Sequence, residues 1–389
     1  MNKIAERSAL LSIILMPISL PFAVMALLFS FVLFLKEKKL SIFMLKDKLL
    51  FVIILSVIFS VFLSAVFSIN KSKSSLAFLV FLLYFFVLFL TKELNKEKAI
   101  KALIIGSLLA SLFAVSQIIL NFIPNIKFEI LGKIPISISG MAIGFQKTNS
   151  LPRLFVMIFP LSIVLLQHEK DTYFRFLSII FLIAATIALI LTKPFGAILA
   201  FLILFLIFLF LKDWRLGFGF MLLILIPFFL KVDILGEFME SVTGYASISI
   251  RIDTWMKFVL PAVLEKKPLT GFGIGCYTEA ARTFAMDMSV MNNHPHSLYF
   301  YIFAETGILG FISIFCLIFT TLFLSFKNRK KNYLYTGIFF AILGLLLEGL
   351  ITSYLEYIPI GMVTFSILGL AIPQTKNTDE LNYEKSKTG

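Results

Sequence analysis

The sequence is short of charge. Only 15% of its 389 residues are Asp, Glu, Lys or Arg, against roughly 25% in soluble domains. Histidine occurs three times, and cysteine and tryptophan twice each. So little charge beside so much apolar content excludes a disordered chain. Cys276 and Cys316 stand far apart, the second inside an apolar run, which argues against a disulfide framework or a cysteine metal cluster. No internal repeat is visible, and a fibrous protein is excluded with it.

What the chain has is apolar side chains: 59% of residues, 46 of them phenylalanine, with a mean hydropathy of +0.99. A membrane-spanning helix uses about 20 residues, so this composition fills on the order of a dozen spans. The fold class expected is an all-α polytopic membrane protein. The formal charge is +13. In a soluble chain it would suggest nucleic acid, but here it points to lysines and arginines retained on the cytoplasmic side. The start is basic, with Lys3 and Arg7, yet the apolar run reaches Leu35 without a small-residue cleavage signal. It reads as a retained span or hairpin, not a signal peptide.

Apolar runs fall at about 8–35, 49–68, 76–91, 99–122, 151–167, 175–192, 195–211, 216–231, 297–324, 332–351 and 357–373. The first is long for one span and contains Pro17 and Pro21, so it is expected to fold into two short helices, giving 12 spans. One long tilted helix would give 11. Most of the short basic segments (1–8, 36–48, 91–101, 168–175, 212–215, 327–331 and the tail) then share one side, which favours the hairpin, with both termini cytoplasmic. The expected division is 1–231 for spans 1–9, 232–296 for a long extracytoplasmic loop, 297–373 for spans 10–12 and 374–389 for a cytoplasmic tail. A smaller outer segment covers about 123–150.

Polar chemistry gathers in the long loop. In RIDTWMKFVLPAVL (251–264), Ile252, Trp255, Val259 and Ala262 recur at helical spacing, flanked by Arg251 and Lys257. That pattern suits an amphipathic helix on the outer leaflet. PLTGFGIG follows, with Gly271, Gly273 and Gly275 alternating. No βαβ context surrounds it, so a dinucleotide loop is excluded, and the glycines are expected to permit a tight turn and close backbone approach to a ligand or helix. In NNHPHSLYFYIFAETGILGF, His294 and His296 stand at the mouth of the next span with Asn292, Asn293 and Ser297. No cysteine or close carboxylate pair completes a ligand set, so no metal is expected. Chemistry alone leaves His296 open between a proton acceptor and a helix-capping histidine.

His296-Ser297, nine residues, then Gly307-Ile308-Leu309-Gly310 resembles the H-[N/S/Q]-x9-G-x-x-G signature of the O-antigen ligase family. Arg251 with Trp255, and Pro268 to Gly275, resemble that family's lead-in to the histidine. The motif block covers about 250–311. The resemblance implies a membrane glycosyltransferase of GT-C type in the bacterial inner membrane, with its site on the periplasmic face. The donor implied is a glycan on undecaprenyl diphosphate and the acceptor is lipid A–core, with membrane lipids as surroundings, no nucleic acid and no cofactor. His296 would take the acceptor's proton, and Arg251 would grip the diphosphate. Where the family has Ser-Arg-Gly between spans 7 and 8, this chain has Phe195 at the arginine's place. Lys193, two residues away, is the expected substitute, or else only marks the membrane edge. Arg153 is a further diphosphate candidate, or an interfacial anchor. Of two late carboxylates, Glu348 is preferred over Glu356 as the one supporting the site, with His294 beside it. The superfamily includes polymerases, whose acceptor is another lipid-linked repeat unit. A transporter of lipid-linked glycans would need charges spread through several spans and repeat symmetry, and neither is present.

Overall fold

The computed structural model describes residues 3–36, 47–121, 137–138, 141–142, 150–192, 195–229, 250–284 and 294–373. The tail, Lys193, most of the outer segment expected at 123–150, and residues 232–249 and 285–293 of the outer loop expected at 232–296, Asn292 and Asn293 among them, lie outside the described residues. The described chain is helical apart from a two-residue antiparallel ribbon, Ser137–Ile138 with Met141–Ala142.

The first apolar run divides as expected. Helix α1 (Lys3–Leu15) and α2 (Leu20–Lys36) flank a turn containing Pro17. They pack antiparallel, with Ser12 Oγ donating to the Ala23 carbonyl at 3.0 Å and Ser8 Oγ to Ala26 at 2.9 Å. α3 (Lys48–Val66) starts where the Asp47 side chain accepts from the Leu49 and Leu50 N–H groups, and α4 (Lys71–Glu93) where Asn70 accepts from Lys73. Such caps satisfy N–H groups that have no partner within the helix. α5 (Lys96–Asn121), α6 (Ser150–His168), α7 (Thr172–Thr192), α8 (Phe195–Lys212) and α9 (Trp214–Phe229) follow. A π-helical segment, Thr254–Val259, runs into α10 (Leu260–Lys266), and α11 (Tyr277–Phe284) completes the described loop. The last three are α12 (Leu298–Asn328), α13 (Leu334–Glu348) and α14 (Ile358–Ala371).

Among the described residues, six helices are long and apolar enough to cross a membrane: those in α3, α4, α5, α6, α7 and α12. Shorter apolar helices lie within α2, α8, α13 and α14. The outside of the bundle is itself apolar, with Phe22, Phe59, Leu76, Phe176 and Phe323 all well exposed. The chain is a multi-pass membrane protein.

Helices approach closely where one of them lacks a side chain. A methyl group at Gly369 of α14 would strike the Leu88 carbonyl of α4, and one at Gly106 of α5 the Ile14 carbonyl of α1. Such small-residue contacts replace the hydrophobic drive that lipid cannot supply between helices. The basic segments grouped by charge meet at one end. Lys98 pairs with Glu6 at 2.8 Å, Lys101 with Glu97 at 2.8 Å and with Glu169, and Lys96 donates to the Leu370 and Ile372 carbonyls. The motif block gathers at the other end.

The closeness of α14 to α4 is testable. Gly369→Ala should cost about 1–3 kcal/mol by overpacking, read as a lowered Tm of the detergent-solubilised chain. Gly219→Ala, with open space around it, should not lower the Tm.

Candidate functional site

α12 is not a continuous helix. Gly307 has φ 62° and ψ −163°, which breaks the helix nine residues from its start. The break frees carbonyls above it and N–H groups below it, and both sets are taken up by the glycine loop. Phe272 N–H donates to the Ala304 carbonyl at 2.8 Å and Gly273 N–H to Glu305 at 3.1 Å. In return, Ile308 N–H donates to Pro268 at 2.9 Å and Leu309 N–H to Leu269 at 3.3 Å. Gly271 sits at φ 65°, against the Glu305 and Gly307 backbone, and a Cβ there would collide. The close approach expected of these glycines is to a helix.

The loop is held from behind as well. Ile69 N–H donates to the Phe272 carbonyl at 3.0 Å, and Ser64 Oγ donates to the Glu305 carbonyl at 2.7 Å. The buried Glu305 carboxylate accepts from Gly275 N–H at 2.8 Å and from Tyr277 N–H, the start of α11, at 3.2 Å. The sequence reading passed over Glu305. Its signal was available: a carboxylate inside an apolar run, the same criterion that singled out Glu348.

The helix expected at 251–264 forms, but its buried face differs. Thr254, Phe258, Val259 and Val263 are buried, while Ile252 is 46% exposed. The π-helical turns, closed by Leu260 N–H to the Trp255 carbonyl, add a residue per turn and rotate the face away from ideal α spacing. Trp255 stacks on Phe300 with ring centres 5.0 Å apart, and its indole N–H donates to the Pro295 carbonyl at 2.5 Å. That bond fixes the turn on which both histidines sit.

His296 adopts φ 49°, a left-handed conformation in which Asn, Asp and His are enriched. The turn ends where Leu298 N–H donates to the Gly349 carbonyl at 2.7 Å. Gly349 opens the segment 349–357 between α13 and α14, and this segment also holds the cations. Arg251 Nη1 donates to the Ile351 carbonyl at 3.2 Å. Buried Arg153, from α6, pairs with Glu356 at 3.1 Å and lies over the Tyr357 ring. The other Glu356 oxygen is 2.6 Å from His294 Nδ1.

The structure thus brings together His296, His294, Arg251 and Arg153. Glu348, preferred from sequence, is buried one step away and accepts a 2.6 Å bond from the Tyr354 hydroxyl. Glu356 is the carboxylate that touches Arg153 and His294. Lys193 lies outside the described residues. No group of three or more His, Cys, Asp or Glu among the described residues is arranged to hold a metal.

Electrostatics set the protonation states. Burial, then the Arg251 charge, push the His296 pKa down to about 4, so at neutral pH its ring is uncharged and able to accept a proton. Burial works to raise the Glu356 carboxyl, but His294 and Arg153 outweigh it and hold it below the ordinary carboxylate range. Beside these groups a cavity of about 230 Å³ runs between α4 and α12. It is largely apolar, with Lys73, Tyr84, Tyr301, Glu305, Thr306 and Glu356 as its polar lining.

Residues 179–315, from within α7 past the break in α12, match the model of the O-antigen ligase family. This supports membership of that family, as the motif block led one to expect. No curated protein matches the chain.

Titration of the histidine ring checks the electrostatics. By NMR of histidine-labelled protein, His296 should titrate near pH 4. In Arg251→Gln the midpoint should rise, because the charge that most disfavours imidazolium is gone. A midpoint at the ordinary 6.5 in the unaltered protein would contradict the site as described.

Proposed function

We propose that this member of the O-antigen ligase family is a lipid-linked glycan ligase. It would transfer a glycan from undecaprenyl diphosphate to a sugar hydroxyl of lipid A–core, with inversion and without metal. The observation that carries the reading is an uncharged His296 held among Arg251, Arg153 and Glu356.

The acceptor hydroxyl attacks the anomeric carbon while its proton passes to the His296 ring. The new glycosidic C–O bond forms as the bond to the diphosphate oxygen breaks, and that oxygen leaves with the electron pair. Negative charge grows on the departing diphosphate, and cations fixed in advance stabilise it. Arg251 is first in that role. Its Nη1 is anchored on Ile351, which leaves the rest of its fork for phosphate oxygens. Arg153 supports it from α6, and Lys193 stands in for the family arginine absent at Phe195. Glu356 fixes Arg153 and His294, and Glu348 orders the segment beneath them through Tyr354. The largely apolar cavity beside Glu356 suits a prenyl chain.

The wider architecture belongs to the same proposal: 12 spans in a GT-C arrangement, with 1–231, 232–296, 297–373 and 374–389 as spans 1–9, outer loop, spans 10–12 and inner tail. The site then lies on the periplasmic face of the inner membrane.

His296→Ala should abolish transfer while the protein still inserts and accumulates. His296→Asn, which keeps the left-handed turn available, should be equally inactive, and activity in the Asn variant would remove His296 as the base. Arg251→Ala should lose activity that Arg251→Lys only partly restores, because an ammonium lacks the planar fork.

Reconstitution with an undecaprenyl-diphosphate glycan, offering lipid A–core and donor as competing acceptors, tests the substrate. Glycan on lipid A–core is the expected product. Longer lipid-linked chains without it would replace the ligase reading with a polymerase.

A further inference from the structure

A second polar recess lies at the opposite end of the bundle, among the segments tied by Lys98, Lys101 and Lys96. It is a basin of about 510 Å³ where α6 and α12 end, α13 begins and α8 passes. Three consecutive cations, Arg329, Lys330 and Lys331, form its rim, and Thr336 contributes a hydroxyl. Its floor is a stacked pair: the His168 and Tyr333 rings lie 4.2 Å apart and 10° from parallel. The His168 ring is held in turn by Nδ1 against the Val164 carbonyl at 3.0 Å.

The charges here are unbalanced. Among the described residues no carboxylate pairs with Arg329, Lys330 or Lys331. Carboxylates of this end have other partners: Glu6 is held by Lys98, Glu93 by Lys92, and both Glu97 and Glu169 by Lys101, while Asp171 and Asp213 accept from the Tyr173 and Arg215 N–H groups. Arg329 is also pre-positioned. Its Nη1 donates to the Phe326 carbonyl at 2.7 Å, and the guanidinium lies over the Phe326 ring. One edge of the fork is thereby fixed, and the remaining N–H groups are available.

Below the rim the surroundings turn apolar. Phe208 lines the basin, and Phe205 and Leu211, three residues to either side on the same helix, are 48% and 55% exposed. Residues three apart share a helix face, so an apolar track on α8 runs from the basin toward the bilayer. A phosphate at the rim with a hydrocarbon chain on that track matches both halves of the site.

We propose that this basin binds the phosphate head group of an anionic membrane lipid, with Arg329, Lys330 and Lys331 as its cationic contacts and α8 as the rest for an acyl chain. Each basic residue near such a head group strengthens binding by about fivefold. The site is far from His296 and is independent of the transfer reaction.

Native mass spectrometry of the full detergent-solubilised chain, dosed equally with phosphatidylglycerol or phosphatidylcholine, tests it. The unaltered chain should retain phosphatidylglycerol preferentially. The triple variant R329A/K330A/K331A should bind it on the order of 100-fold more weakly. Because those cations also help to orient the chain, R329Q is the second variant. It leaves both lysines in place and should lose about fivefold. K3A/R7A removes two exposed basic residues of α1, which does not line the basin, and should bind as the unaltered protein does. Equal loss in that control would mean diffuse surface attraction and would overturn the proposal, as would unchanged binding in both Arg329 variants. Inorganic phosphate alone provides the last arm. If it displaces the lipid completely at low millimolar concentration, the site takes free phosphate and the lipid assignment fails.

Discussion

The exchange of backbone hydrogen bonds between the glycine loop and the break in α12 is the contact on which the rest of the outer end depends. A broken helix in a membrane protein leaves peptide groups that lipid cannot solvate, and each must find a protein partner. Here the partners come from 268–273, which both accept from and donate to the interrupted helix. Only glycine fits the close approach at 271 and the dihedral angles at 307. Glu305 carries the arrangement outward by binding the N–H groups of Gly275 and Tyr277. The orientation of α11 and of the short upper arm of α12 therefore follows from a few backbone contacts.

The second organising element is 349–357, a segment with little regular structure. Through Gly349, Ile351 and Glu356 it receives the start of α12, Arg251 from the loop and Arg153 from α6. Three separate stretches of chain are thereby registered against one another. The same convergence explains why His296 is a weak base: its burial there disfavours the protonated ring most, the Arg251 charge next, and Glu356 only partly compensates. A weakly basic ring is uncharged across neutral pH, while the arginines keep their charge.

The sequence carried much of this, and where it fell short there is a physical reason. The hairpin at Pro17 was legible because proline cannot continue a helix without losing a hydrogen bond. Gly271, Gly273 and Gly275 announced a close approach, but not its partner, because backbone-to-backbone contacts leave no side-chain pattern. The face of the helix at 251–264 was misplaced because a π-helical insertion shifts the period without changing composition. Glu348 was preferred to Glu356 because it stands inside an apolar run, but what separates them is contact with α6 and with the histidine turn, across 203 residues for Arg153. Glu305 stands among the nine unspecified residues between His296-Ser297 and Gly307, and its partners are backbone N–H groups 28 and 30 residues away, which leave no side-chain pattern.

The break in α12 also governs when the site can exist. Residues 268–273 leave the ribosome before α12 does, and their bonding partners at 304–309 are made only afterwards. Until α12 has inserted, the loop has nothing to dock on. Its other anchor, Ile69 at the top of α3, was synthesised some two hundred residues earlier. Closing the outer end is therefore a late step of biogenesis, and so is the 349–357 clasp, which follows α13. A nascent chain thus carries Arg153 for 203 residues before its partner Glu356 is made.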